Sequence, residues 1–206
     1  MVLTLIASLL ALQSDDLAEA AKKSSTLESY AFKVETKLSC GKQQPGAIEG
    51  IYQKDQPLSL KTAGVEGFKK GEKKQQPVAA AFSGVKLPHE ELEGFEKSFE
   101  KVEKAAEKDK DCSVWSGTLT PSAAHALVST GGKTEGKSNA TYTGTARVWV
   151  NDQGLIVRYE VVAHMKGETK KGPVEADITR TVSIAEAGAA KVGVPEPAAK
   201  LLISQS

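Results

Sequence analysis

Residues 131–138 read GGKTEGKS and fill every fixed place of the phosphate-cradling pattern GxxxxGK followed by Ser or Thr, with Gly131, Gly136, Lys137 and Ser138. Such a loop holds phosphate only when a buried strand delivers it and a helix leaves it, because the phosphates sit on backbone N–H groups at that helix's start. Here Pro121 opens PSAAHALVST, whose Ala123, Ala124, Ala126, Leu127 and Val128 predict a short helix before the loop. After it, SNATYTGTARVWV places Tyr142, Ala146, Val148 and Val150 at alternating positions, the pattern of a strand. The elements stand in the wrong order, and Asp152, where a magnesium-holding acid would be sought, belongs to the turn NDQG. No nucleotide is expected. Asn139-Ala140-Thr141 also spells a glycosylation sequon, which has meaning only in a eukaryotic secretory setting.

The remaining reactive residue types give no better signature. His89, His125 and His164 fall in three separate elements without HxH or HxxxH spacing, so each reads as a surface or capping histidine and no metal site is expected. There is no GxSxG elbow, and neither Cys40 nor Cys112 lies in a local signature of a nucleophile. The acid pairs Asp15-Asp16 and Glu90-Glu91 stand at expected helix starts, where the macrodipole accounts for them. No catalytic residue and no cofactor are expected, and the chain reads as a protein that is not an enzyme. Cys40 and Cys112 lack CxxC spacing; they either pair across a long loop in an oxidising compartment or stay as buried thiols. Two turns are rich in lysine: FKKGEKKQQ with Lys69, Lys70, Lys73 and Lys74, and MKGETKKG with Lys166, Lys170 and Lys171. They read as solvated hairpin tips; on one rim of a sheet they would also favour an anionic membrane surface, by about 1 kcal/mol per cation.

The elements that must position these residues come from a chain of 206 residues with no composition break, so one domain is expected over residues 14–206. Net charge is +1 from 27 basic and 26 acidic side chains, which leaves no global field for nucleic acid. Aromatic content is 5%, and Trp115 and Trp149 both lie inside strand-like runs, so base stacking is not expected either. Residues 1–13, MVLTLIASLLALQ, form an apolar run that stops at Ser14-Asp15-Asp16 and falls short of the roughly 20 residues a membrane span needs. They read as a secretory signal that lacks a basic n-region, with a buried N-terminal strand or helix as the alternative. Export to the periplasm or cell envelope, as a monomer, is the expectation.

From Ser14 as N-cap, SDDLAEAAKKSSTLESY carries Leu17, Ala20, Ala21 and Leu27 and predicts a short amphipathic helix. YAFKVETKLS alternates Tyr30, Phe32, Val34 and Leu38 with Lys33, Glu35 and Lys37, a half-buried strand. Strands are expected at AIEGIYQ, LSLKTA, GVEGFKK and VAAAF, between turns rich in Gly, Pro and polar residues. LPHEELEGFEKSFEKVEKAAEKDKD sets Leu92, Phe95, Phe99, Val102 and Ala106 at spacings of three and four and predicts the longest helix, with Glu93–Lys97 and Glu100–Lys104 as pairs on its wet side. CSVWSGTLT is a strand. TYTGTARVWV, LIVRYEVVAHMK and VEADITRTVSI form two consecutive hairpins. In the middle strand Leu155, Val157, Tyr159, Val161, Ala163 and Met165 are expected to share the apolar face.

The segments LESYAFKVETKLS after the first helix, the hairpin RVWVNDQGLIVRYEV and the closing VGVPEP, in this order of elements, resemble the LolA-like superfamily. That group includes periplasmic lipoprotein carriers and lipid-binding proteins of the LppX and LprG type. The resemblance runs over roughly residues 15–198 as a layout, without a lipid-attachment cysteine after the apolar run. It implies an α+β fold: a curved antiparallel β-sheet, an incomplete barrel, with one long and two or three short helices on the concave side. It also implies an apolar cavity for a lipid or for the acyl chain of a lipoprotein. The lining would come from Phe32, Val34, Phe95, Phe99, Val148, Val150, Tyr159 and Val161. A fully packed core would bury the same positions, and the domain would then be an envelope sensor that recognises a protein partner.

Overall fold

The computed structural model describes residues 15–39, 46–56, 58–62, 86–106, 108–129, 140–169 and 172–192. Outside them lie residues 1–13 of the expected signal, the N-cap Ser14, the GGKTEGKS loop, and the strand candidates GVEGFKK and VAAAF. The tail PEPAAKLL, Cys40, and lysines Lys69, Lys70, Lys73, Lys74, Lys170 and Lys171 lie outside as well.

Eight antiparallel strands form one open sheet in the order β3-β2-β1-β8-β7-β6-β5-β4, where β1 is Ser29–Leu38, β2 Ile48–Gln53, β3 Ser59–Thr62 and β4 Phe99–Lys104. The others are β5 Ser113–Leu119, β6 Thr141–Val150, β7 Ile156–Thr169 and β8 Gly172–Ala185. Strands β4 to β8 run as neighbours in chain order, and β1 joins the far side of β8 with Val34 opposite Val182. Among the described residues three helices accompany the sheet and it does not close, so the fold is α+β. The helices are α1 over 15–25, α2 at Pro88–Leu92 and α3 at Pro121–Val128, with a 3-10 turn at Phe95–Ser98.

Local signals position the helices. In α1, Leu17, Ala20, Ala21 and Ser24 recur at helical spacing and are buried, and Leu27 lies just past its end. The Ser24 hydroxyl bonds the Ala20 carbonyl at 2.8 Å and accepts the Ile156 N–H at 2.8 Å, which rivets α1 to the start of β7. In α3, Pro121 sits in the first turn and the Thr120 side chain accepts the Ala123 N–H at 3.2 Å, as an N-cap does. This helix reaches β6 because residue 144 is glycine: a Cβ there would stand 3.1 Å from the Ala124 Cβ and 3.0 Å from the Val162 carbonyl.

The long helix expected from residue 88 onward is not formed. Gly94 takes φ +67°, a left-handed conformation that ends α2 after five residues, and the chain passes through the 3-10 turn into β4. The spacing of three between Phe99 and Val102 is satisfied in a strand because the pairing with β5 slips between Phe99 and Lys101, a bulge that returns both side chains to the core side. The expected i,i+4 pairs give way to a Lys101–Glu103 ion pair at 2.5 Å along an edge strand whose charges guard its open side.

The two hairpins are as expected. Asn151 accepts the N–H groups of Gln153 and Leu155 in the turn, and Gly154 takes φ +73°. One detail differs in β7. The register shifts beside Val150, which pairs with Ile156, so Ile156 is fully buried and Val157 only partly so. The helices and the inner face of the sheet share one cluster of buried apolar residues that runs from β1 to β5.

Candidate functional site

Among the described residues the inner face of the sheet is mostly apolar, with the buried Thr36 of β1 and Arg180 of β8 side by side on it. In β8, Ala176, Ile178, Val182 and Ile184 point inward, and the alternation puts Arg180 inward as well, between Ile178 and Val182. A buried guanidinium requires a buried partner. It finds Glu91 of α2: Arg180 Nη1 donates to Oε2 at 2.8 Å and Nη2 to Oε1 at 2.9 Å, with both side chains only 5% exposed. The Tyr159 hydroxyl, from the neighbouring strand β7, donates to the same Oε2. Burial alone disfavours the charge of Arg180, but the Glu91 carboxylate and then Tyr159 outweigh it, so its pKa is raised. Tyr159 is pushed well above the ordinary phenol value by burial and then by the Glu91 charge.

A second polar contact holds the same helix. The Tyr30 hydroxyl lies 2.6 Å from His89 Nδ1 and accepts the His89 backbone N–H at 3.3 Å, while the Tyr52 ring stacks on the imidazole at 4.3 Å. Burial raises the Tyr30 pKa and lowers that of His89. Leu92 and Phe95 complete the attachment; the Phe95 ring meets Tyr159 at 5.3 Å and Phe99 at 5.5 Å. Glu90 behaves as read from the sequence, capping α2 by accepting the Leu87 N–H at 2.9 Å. Glu91 does not: its carboxylate belongs to the ion pair.

The residues proposed as a lining are brought together. Phe32, Val34, Phe95, Val148, Val150, Tyr159 and Val161 are all buried in the one cluster, and Phe99 packs on it half-buried. Trp115 joins them, and its indole N–H is buried without a hydrogen-bond partner among the described residues. A cleft of about 410 Å³ lies at the β1, β2, β3 and β8 side of the sheet, bordered by Ala31, Lys33, Glu49, Ile51 and Ala185 and, of the proposed lining, by Phe32 alone. On the outer face His164 bridges Asp177 at 2.7 Å and Glu175 at 2.8 Å across strands, and Lys166 of the second lysine turn pairs with Glu175 at 2.8 Å. His125 lies against the Tyr142 ring. Among the described residues Cys112 is a free thiol; the other cysteine, Cys40, lies outside them. Among the described residues no three His, Cys, Asp or Glu side chains converge as metal ligands.

The crystal structure of LprF from Mycobacterium bovis is similar to this chain, with 13% identity and a TM-score of 0.43, covering 89% of this chain and 96% of LprF. No family model and no curated protein matches.

Sequence reasoning missed Arg180, Glu91, Tyr30 and His89 as a connected set. The signal for Arg180 was present: a charged residue at an inward place of a strict apolar alternation. Its partner had no signal, because nothing local marks which of 26 acids meets it.

Proposed function

We propose that this is an exported binding protein, without enzymatic activity, that holds a lipid or the acyl chain of a lipoprotein between the sheet and its helix layer. One observation carries the reading: part of the apolar sheet face is covered by a five-residue helix fastened through buried polar contacts. Burying an ion pair is a poor way to gain stability, since apolar side chains of similar volume usually do as well or better. It is a good way to make an attachment that is either fully formed or released, as a cover over a chain-binding layer requires. The Trp115 N–H, without a partner among the described residues, is the kind of donor that an oxygen of a bound molecule satisfies. Contact with an anionic membrane through Lys69, Lys70, Lys73, Lys74, Lys166, Lys170 and Lys171 belongs to the same proposal.

A second reading, an envelope sensor that recognises a protein, is favoured by the near-complete burial of the candidate lining. The two separate by experiment. Protein purified from a membrane-containing host is extracted with organic solvent, and the delipidated chain is titrated with the uncharged probe N-phenyl-1-naphthylamine. Extracted lipid together with saturable probe binding supports the carrier. Clean protein without saturable binding rejects it in favour of the packed domain.

A further inference from the structure

We infer that Arg180 and Tyr159 form a receptor for the carboxylate of a long-chain fatty acid, which Glu91 fills from within the molecule when the helix layer is closed. The inference deepens the apolar-chain reading and rests on it. Three donors converge on one carboxylate: two guanidinium N–H groups, one to each oxygen, and the Tyr159 hydroxyl to Oε2. Planar, bidentate recognition of this kind is what guanidinium does best, and it is strongest away from water.

The parts are divided unequally between floor and cover. Both donors stand on adjacent, fully paired strands in the middle of the sheet, with Val161 opposite Arg180 and Val182 opposite Tyr159. The acceptor stands on a five-residue helix. When the cover lifts, the receptor stays in place and only the carboxylate leaves. Around it stand Val161, Val182, Ile178 and the Phe95 ring, and the buried Thr36 of β1 lies opposite Arg180. A molecule that replaces Glu91 must offer a carboxylate at the end of an apolar chain. Glu91 thus acts as an intramolecular competitor, and its removal strengthens binding of such a ligand.

Two arms test this on the full, delipidated chain. In the first, Glu91→Ala is melted in acetate and in chloride of equal ionic strength. Acetate raises its melting temperature in a saturable way and leaves the wild type unmoved, and the response disappears in Glu91→Ala/Arg180→Met. A folded Glu91→Ala that ignores acetate overturns the receptor. In the second, hexadecanoate and hexadecanol are titrated into wild type and Glu91→Gln, a near-isosteric change that keeps the layer closed by a neutral amide. Hexadecanoate binds Glu91→Gln about tenfold tighter than wild type, equivalent to about 1.4 kcal/mol, while hexadecanol binds both alike. Equal gains for the two ligands overturn the carboxylate receptor and leave the apolar-chain reading standing. Binding of neither overturns the apolar-chain reading and with it the ligand class, whereas acetate rescue alone would still place a carboxylate on Arg180.

Discussion

Replacing Arg180 and Glu91 separately and together separates stability from switching. In the folded chain the two side chains are 5% exposed and share two hydrogen bonds of 2.8 and 2.9 Å. Arg180→Met leaves a buried carboxylate whose remaining donor is the Tyr159 hydroxyl, and Glu91→Leu leaves a buried guanidinium. Each should cost about 3 to 5 kcal/mol, the usual result of stranding one partner of a buried pair. That is a large share of the roughly 5 to 15 kcal/mol that holds a domain together. The double variant strands no charge and should return to near wild-type stability, less about 1 to 3 kcal/mol because the Tyr159 hydroxyl has lost its acceptor. Adding Tyr159→Phe should remove that last penalty. Urea unfolding followed by tryptophan fluorescence, with the denaturant slope compared between variants, measures all four. Single variants that each lose less than about 1 kcal/mol would refute the reasoning, since such a pair would be solvated and not buried.

Phe95→Ala should cost about 3 to 5 kcal/mol, because the ring is fully buried between Phe99 and Tyr159, and Phe99→Ala, half-buried on β4, should cost clearly less; chemical denaturation ranks them. Tyr30→Phe should lose about 1 to 2 kcal/mol through the bonds to His89, and deuterium exchange should rise in α2 before it rises in β8. His164 carries a raised pKa through its bonds to Asp177 and Glu175, so the stability it contributes is full below its ordinary 6.5 and is lost as pH rises through the elevated value. The melting-temperature difference between wild type and His164→Gln should therefore be largest under mildly acidic conditions and shrink towards alkaline pH. His89 has the opposite sign: burial lowers its pKa, so the wild type should lose stability as pH falls below about 6.5, and His89→Gln should flatten that side of the profile.

Local pattern was enough for most of the sheet. Tyr30, Phe32 and Val34 against Lys33, Glu35 and Lys37 declare β1 with its inner and outer faces, and the run from Val174 to Ile184 declares β8. Period-two alternation is a property of neighbouring residues, and burying one face of a strand leaves no other way to arrange them. The turn chemistry of NDQG and the proline and threonine that start α3 were equally legible, since caps and turns use bonds within a few residues.

What tertiary structure alone decided has longer reach. The segment FEKSFEKVEK satisfies helical spacing and, with one bulge, strand spacing; the free edge of β5 and the left-handed Gly94 chose the strand. Ile156 rather than Val157 was buried by the same kind of slip. The candidate site depends on contacts that no period can encode. Arg180 finds Glu91 across 89 residues of sequence, and Tyr30 finds His89 across 59, because the sheet sets β1 beside β8 and lays α2 over both. A charge in a low-dielectric layer must be met by whichever opposite charge the folded chain carries there, and only the packing of the helix on the sheet says which one that is.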